Sequence, residues 1–246
     1  MTRHNDMYIF SFDIWNTLIE NKSYKKERMA IIKHCLLNYG FTFSDNEIAN
    51  SYNGLEELFS IYKVKHIYKF LPVNMRLKYI LQKLNVKLQD SLIKDITAAF
   101  EIPVLINPPK LLVDPKRFNE LRSKAYLGII SDTGFTSGNT IRKLLQNHGI
   151  ILDNITYQLF SDEIGYNKPD IRIYNPIINN RFNVRTQDIY HVGDNFETDI
   201  IGARNANIMP IYIKKDNIIR CNKNNVIFAN TIEDAIIYLS LLPEKE

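Results

Sequence analysis

Hydrophobic positions near the start of the chain form a short run that ends abruptly in polar residues. The run extends from Tyr8 to Phe12 and is followed by Asp13, with Asn16 and Thr17 shortly after. A short apolar run that ends in a carboxylate is typical of a buried parallel strand with the acid at its carboxyl end. Ligands of open α/β sheets usually bind at that edge, although a single Asp after a strand is also a common turn former or helix cap.

The spacing of apolar residues then becomes helical from about residue 20 to residue 105. Helices are predicted over Tyr24 to Asn38, from the capping-box pair Ser44 and Glu47 to Tyr62, from Pro72 to Leu84, and over Leu88 to Phe100. Because no strand pattern interrupts these segments, we expect an inserted all-helical subdomain. Three prolines, Pro103, Pro108 and Pro109, predict a stiff linker that returns the chain to the sheet.

Strand and helix patterns alternate in the remainder of the sequence. Strands are predicted at 126–130, 155–160, 189–192 and 208–213, and helices at 115–124, 140–148, 171–180, 196–205 and 232–241. Such alternation is typical of an α/β fold with a doubly wound parallel sheet. We therefore divide the chain into an α/β core domain, residues 1–19 plus 109–246, and an inserted helical domain, residues 20–108.

Composition and charge fit a globular protein and restrict its partners only slightly. The 246 residues are 45% hydrophobic and carry a formal charge of +4, which suits a small anionic molecule and does not call for nucleic acid. Cys35 and Cys221 lie in no metal-binding or disulfide pattern. Neither a membrane span of about 18 apolar residues nor a signal-peptide pattern is present, so we expect a soluble cytoplasmic protein without a membrane partner. The oligomeric state is not indicated.

Residues whose side chains are suited to catalysis or ligand binding follow several of the predicted strands. Asp13, Ser131 and Asp194 stand at strand ends, Asp199 follows closely, and Lys168 lies in the loop after the strand that ends at Phe160. Because parallel strands all end at one edge of the sheet, we expect these side chains to converge.

Four motifs carry a resemblance to the haloacid dehalogenase superfamily. They are FDIWNTL at 12–18, IISDTG at 129–134, NKPDIRIY at 167–174 and VGDNFETDIIGA at 192–203. The motifs occur in the family's order, and the helical insert stands where that family places its first type of cap. The resemblance implies a Rossmann-like core, a hydrolase, Mg2+ as cofactor and a small phosphorylated metabolite as substrate.

The resemblance also assigns roles to the acidic and basic residues. Asp13 would be the nucleophile that forms an aspartyl-phosphate. Asp13, Asp194 and the backbone carbonyl of Trp15 would hold Mg2+ through hard oxygen ligands. Asp199 would hold metal-bound water or orient Lys168, and Lys168 would neutralise the carboxylates and the transferring phosphoryl group.

Substrate contacts are expected from two loops. The Ser131 hydroxyl would bond a phosphate oxygen, supported by backbone N–H groups near Asp132 and Thr133, while Thr17 would form a hydrogen bond within the first motif. Gly134 would permit a tight loop here.

The start of the first predicted helix offers a further hypothesis. Lys25, Lys26 or Arg28 would reach an anionic group of the substrate, and Tyr24 and Trp15 would offer stacking surface. The alternative is a charged helix start in solvent. We expect His191, which lies within a strand, to be packed in the core.

Trp15 is the most important departure of this sequence from the family's first motif. Phosphatases of this family carry a second Asp two residues after the nucleophile, and indole cannot act as an acid or base near neutral pH. Three interpretations remain: a Mg2+-dependent phosphohydrolase or phosphotransferase of limited rate, a metal-free 2-haloacid dehalogenase, or a weakly active or inactive phosphate-binding regulatory module. A phosphonate-cleaving branch also lacks this Asp but needs a lysine in the cap, for which the candidates are Lys25, Lys26, Lys63 and Lys69.

Overall fold

The computed structural model describes residues 7–215, 220–221 and 225–244. Its centre is a seven-stranded sheet in the order β3-β2-β1-β4-β5-β7-β6. The strands are β1 (Tyr8–Phe12), β2 (Ala125–Ser131), β3 (Ile155–Phe160), β4 (Ile189–Gly193), β5 (Met209–Ile213), β6 (Arg220–Cys221) and β7 (Ile227–Ala229). All neighbouring strands are parallel except β6, which runs antiparallel to β7.

Strand β1 lies between β2 and β4 and is buried along its whole length. Its side chains alternate between two hydrophobic clusters, with Phe10 and Phe12 in one and Ile9 in the other. Helices therefore cover both faces of the sheet, and a strand buried on both faces is expected to be mostly apolar; the one polar residue of β1, Ser11, is buried and hydrogen-bonded. The doubly wound α/β core that the alternation predicted is confirmed.

The helices of this core pack on the two sides of the sheet. They are α6 (Pro115–Glu120), α7 (Gly138–Asn147), α8 (Ser161–Ile164), α9 (Ile171–Ile178), α10 (Ile201–Asn205) and α11 (Ile232–Ser240). None of the helices in the described ranges is both long and apolar enough to cross a bilayer.

The segment between β1 and α6 is entirely helical in its regular structure. Its helices are α1 (Lys25–Asn38), α2 (Asp45–Val64), α3 (Val73–Lys83), α4 (Asp90–Ala99) and α5 (Ile102–Ile106). Helices α1 to α4 share a separate hydrophobic cluster that includes Ile32, Leu77 and Ile96, whereas Val104 of α5 packs in the cluster that contains Phe10 and Phe12. We refer to this helical segment as the cap, and its limits at residues 20–108 remain our assignment.

Three local features differ from the sequence-based expectations. Pro103 does not lie in a plain linker but in the first turn of α5, where proline is tolerated because its missing N–H is not needed. The expected regular helix over 196–205 begins with a π-helical turn, Phe196–Ile200. Strand β7 was missed, because three residues are too short to show a periodic pattern.

Candidate active site

Three carboxylates meet at the carboxyl edge of the central strands. Asp13 follows β1 and Asp194 follows β4, and because these strands are parallel neighbours their ends lie side by side. Asp199 comes from the π-helical turn that follows. The nearest carboxylate oxygens of the three residues all lie within 4.8 Å of one another. We call this group the carboxylate cluster.

The amine of Lys168 lies inside the carboxylate cluster. Its Nζ donates to Asp13 Oδ1 at 2.5 Å, to Asp199 Oδ1 at 2.6 Å and to the Ile130 carbonyl at 3.0 Å. Burial by itself lowers the pKa of Lys168, but the carboxylates of Asp13 and Asp199 hold that pKa well above its ordinary value. Lys168 is therefore a fully bonded cation at neutral pH, facing the residue that is predicted to attack.

Asp199 is held rigidly by its surroundings. The Asn195 backbone N–H donates to its Oδ2 at 3.0 Å, and the His191 ring lies 3.4 Å from its Oδ1. His191 in turn contacts Ser11 Oγ at 2.9 Å on the far side of its ring. The burial expected for His191 is confirmed, but its contact with Asp199 was not anticipated, since nothing in the sequence pairs a strand residue with that helix.

The charges of the carboxylate cluster are incompletely balanced by the protein. Burial raises the pKa of Asp13 to about 8 even though Lys168 works against the rise, and Asp199 adds repulsion. Burial and Asp199 likewise raise the pKa of Asp194. For Asp199, burial is outweighed by Lys168 and His191, which hold its pKa below the ordinary value.

This donor set fits a divalent cation with a preference for oxygen ligands. Three carboxylates face one ammonium, so a charge of +2 would neutralise the group. Hard oxygen donors and a phosphate partner suit Mg2+. Both oxygens of Asp199 already accept hydrogen bonds, which favours its predicted role in orienting Lys168 over direct metal binding.

The loop after β2 supplies the groups that were expected to hold phosphate. Ser131 is fully buried at the end of the strand. The Asp132 carboxylate accepts the Lys168 backbone N–H at 2.9 Å, and burial raises the pKa of Asp132 to about 6. The Thr133 N–H donates to Ser161 Oγ at 3.0 Å. The expectation that the Thr133 amide faces phosphate is therefore not met, because the core already uses that donor.

Thr17 forms the predicted hydrogen bond within the first motif through its backbone, because its N–H donates to the Ile14 carbonyl at 3.3 Å. Its side chain differs, since Oγ1 is buried and has no hydrogen-bond partner among the described residues. A buried hydroxyl without a partner costs roughly 1–3 kcal/mol, which makes this residue unusual for a purely structural position.

Trp15 and Tyr24 each form a specific hydrogen bond, and the stacking surface expected of Trp15, which is half-buried, stays a prediction. The Trp15 Nε1–H donates to the Asp132 carbonyl at 3.0 Å and so ties the loop after β1 to the loop after β2. The Tyr24 hydroxyl donates to the Asn107 carbonyl at 2.7 Å, and the side chain is buried.

The charged start of α1 divides into buried and solvated residues. Arg28 is only 7% exposed, and its Nη2 donates to Thr136 Oγ1 at 3.1 Å. A solvated helix start is thus wrong for Arg28. It does describe Lys26, which is exposed, while Lys25 forms a partly exposed ion pair with Glu56.

A surface groove of about 1070 Å³ lies elsewhere, beside the amino ends of β2 and β3. Its lining includes Asn119, Gly149 and Asn154 and none of the carboxylate cluster. This groove is therefore separate from the carboxylate cluster at the opposite edge of the sheet.

Comparison with known proteins gives a match to a family model and to a curated protein. The model describes haloacid dehalogenase-like hydrolases and matches residues 9–207. A stretch of 103 residues is 34% identical to the glyceraldehyde 3-phosphate phosphatase of Methanothermobacter thermautotrophicus. That match covers 39% of this chain and 41% of the other, so the chain spans less than half of the curated relative.

Several solved structures share the fold over nearly the whole chain. The magnesium-bound HAD-hydrolase YfnB of Bacillus subtilis has a TM-score of 0.62 at 15% identity, covering 96% of this chain and 100% of its own. A 2-haloacid dehalogenase of Pseudomonas syringae has a TM-score of 0.64 at 16% identity, covering 95% and 98%. A β-phosphoglucomutase-like protein of Thermotoga maritima has a TM-score of 0.58 at 16% identity, covering 96% and 100%. At these identities the likeness shows the fold alone.

Proposed function

The chain belongs to the haloacid dehalogenase-like hydrolases, and from that premise we propose that it is a Mg2+-dependent phosphatase or phosphotransferase. Its substrate would be a small phosphorylated metabolite. The observation that carries the proposal is the placement of Asp13, which is buried at a strand end, bonded to Lys168 and adjacent to two further carboxylates.

The proposed reaction uses Asp13 as the nucleophile. Its carboxylate oxygen attacks phosphorus, the bond between phosphorus and the ester oxygen breaks, and an aspartyl-phosphate forms. Water then attacks this phosphorus, which releases inorganic phosphate and regenerates Asp13; a phosphotransferase would use an acceptor hydroxyl instead. The Lys168 ammonium offsets negative charge that gathers between Asp13 and the transferring group, and Ser131 bonds a phosphate oxygen.

Mg2+ is part of the proposal, with Asp13, Asp194 and the Trp15 backbone carbonyl as the groups that would hold it. When bound, it would neutralise charge and polarise the phosphoryl oxygens. Asp199 acts through Lys168 as a positioning residue, because its two oxygens hold the lysine amine and the Asn195 amide.

Trp15 restricts the substrates that can react quickly. Its indole N–H is already donated to the Asp132 carbonyl and cannot protonate a leaving group. General acid–base catalysis is worth about 10² to 10⁴ in rate. Aryl and acyl phosphates, whose leaving groups do not need a proton, should therefore outperform alkyl phosphates, unless the cap or the substrate provides the acid.

The proposal is tested with a phosphate-release screen on aryl and alkyl phosphates, with and without Mg2+. Glyceraldehyde 3-phosphate belongs in the panel because the curated relative is named for it. Turnover that requires Mg2+ and disappears in Asp13→Asn supports the proposal, and Asp95→Asn, an exposed change on α4, should keep full activity.

Two other outcomes would overturn the proposal. Phosphate release by the wild type that equals release by Asp13→Asn on every substrate would favour a non-catalytic module. Chloride release from a 2-haloacid without metal would identify a dehalogenase. A cytoplasmic location remains a prediction from the sequence, to be checked by cell fractionation.

A further inference from the structure

Two buried arginines of the cap lie against the same aromatic ring. Arg28 of α1 is 7% exposed and Arg76 of α3 is 5% exposed. Their guanidinium carbons lie 5.2 Å and 5.3 Å from the centre of the Phe135 ring. Phe135 belongs to the core but packs among cap residues, stacked on Tyr52 with ring centres 5.5 Å apart. Two positive charges are therefore held together at the junction of cap and core.

Neither guanidinium has a carboxylate within ion-pair distance in the described part of the chain. Arg28 Nη2 donates to the Thr136 hydroxyl at 3.1 Å, and Arg76 Nε donates to the Leu71 carbonyl at 2.7 Å. The buried Nε of Arg28 has no partner among these residues. Buried charges in proteins are normally paired with an opposite charge, so this arrangement is unusual for a structural contact.

The arginines face the loop that follows β2. An Arg76 Nη1 atom lies 4.0 Å from the point where a Cβ on Gly134 would stand. Burial lowers the pKa of Arg76, and the negative charge of Asp132 acts in the opposite direction. This loop begins at Ser131, beside the strand end that carries Asp13. The pair thus lies against the loop after β2, whose Asp132 carboxylate accepts the Lys168 backbone N–H, and it is not part of the carboxylate cluster.

We propose that Arg28 and Arg76 form a second anion subsite, which selects phosphate monoesters that carry an additional carboxylate a few bonds from the phosphoryl group. This inference rests on the proposed function and adds the class of substrate. The planar guanidinium fork suits carboxylate recognition, and the surrounding rings exclude water, which strengthens such a bond. A second phosphate shares this chemistry and is distinguished in the test.

The test compares substrates that share one carbon skeleton. We measure kcat/KM for 3-phosphoglycerate, glyceraldehyde 3-phosphate and glycerol 3-phosphate, which differ in a terminal carboxylate, aldehyde or hydroxymethyl group; propane-1,3-diol bisphosphate provides the second-phosphate arm. The wild type should prefer 3-phosphoglycerate about 10- to 100-fold, as expected for hydrogen bonds to a charged group. Arg28→Met and Arg76→Met should each reduce this preference, while Arg185→Met, an exposed arginine of the core, should keep it.

Equal kcat/KM for the three substrates would overturn the subsite, and so would a preference that both variants retain. A preference for the bisphosphate over 3-phosphoglycerate would overturn the assignment of a carboxylate. If either arginine variant does not fold, Thr136→Val replaces it. That change removes a bond that orients Arg28 and should raise KM for 3-phosphoglycerate more than for glycerol 3-phosphate, whereas an equal effect on both would count against the subsite.

Failure of the subsite and failure of the proposed function are separated by binding. If no phosphate ester is hydrolysed, the proposed function is wrong. The subsite is then tested by measuring the affinity of the intact protein for the same compounds by calorimetry. Binding of 3-phosphoglycerate at least about tenfold tighter than glycerol 3-phosphate, lost in Arg28→Met, supports it. Equal affinity for both compounds overturns it.

Discussion

Replacing Gly193 by alanine should reduce activity far more than the addition of one methyl group usually does. A Cβ at this position would lie 2.4 Å from Asp199 Cγ and 2.5 Å from Asp199 Oδ2. The backbone of Gly193 is outside the left-handed region, so alanine is compatible with the local chain. The cost therefore comes from the collision with Asp199.

The size of the effect follows from the distances. Real Cβ atoms keep at least about 3.4 Å in ordinary contact, so the Asp199 carboxylate must retreat by about 1 Å. Its bonds to the Lys168 amine, at 2.6 Å, and to the Asn195 amide, at 3.0 Å, would both be stretched or lost. A misplacement of 1 Å costs about 10²-fold in rate, and overpacking costs about 1–3 kcal/mol of stability.

The assay is kcat/KM for an aryl phosphate with saturating Mg2+, together with the free energy of unfolding in urea. Gly138→Ala is the matched control, because a Cβ there would lie 2.7 Å from the Phe160 ring, outside the carboxylate cluster. We expect both variants to lose stability but only Gly193→Ala to lose about 10²-fold in kcat/KM. A folded Gly193→Ala with wild-type kcat/KM, or an equal loss in Gly138→Ala, would refute the reasoning.

Four further predictions concern the same site. Asp194→Asn removes one repelling carboxylate, so it should raise the melting temperature without metal and abolish the increase caused by Mg2+; scanning fluorimetry that shows neither change contradicts this. Without metal, the free energy of unfolding of the wild type in urea should fall from about pH 4 to about pH 8. In this range the folded protein keeps a proton on Asp13, whose pKa is raised from 3.8 to about 8, and the unfolded chain has released that proton. Mg2+ or Asp13→Asn should flatten this pH dependence, and an unchanged slope in Asp13→Asn would be inconsistent with this origin. Thr17→Val removes the unpartnered buried hydroxyl and should stabilise the fold by about 1 kcal/mol while lowering kcat/KM, whereas unchanged kcat/KM would mean that this hydroxyl binds no substrate. Trp15→Asp should accelerate alkyl-phosphate hydrolysis relative to aryl-phosphate hydrolysis and Trp15→Phe should not; no gain in a folded Trp15→Asp would indicate that the proton donor is already supplied elsewhere.

Much of the fold could be predicted because its signals are local. Strand β1 occupies the predicted Tyr8–Phe12, and the Ser44 and Glu47 capping box is present in the structure. Such patterns depend on neighbours within one turn or one strand. Strand β7 depends instead on pairing with β5 across the chain, and three residues carry too little pattern to reveal it.

The candidate site likewise contains residues that local sequence patterns predicted and residues whose position depends on distant parts of the chain. Strand ends predicted that Asp13, Asp194 and Lys168 would converge, because a parallel sheet brings all such ends to one edge, and the structure places them together; their roles remain predictions. No sequence pattern pointed to Arg76, since its place beside Phe135 depends on how the cap packs on the core. The π-helical turn that aims Asp199 was likewise hidden, because its sequence resembles an ordinary helix.

The core side and the cap side of this site carry opposite charges, so each side is suited to a different part of a substrate. In the core, three carboxylates outnumber the single ammonium of Lys168, so without a cation this side would repel a phosphate. In the cap, Arg28 and Arg76 are positive charges that no described carboxylate pairs. Opposite charges that are kept apart in a buried site favour a ligand that joins them, because each charge is otherwise poorly compensated. A substrate with two separate anionic groups would meet both demands, with Mg2+ and Lys168 serving the phosphoryl group and the arginines serving the other.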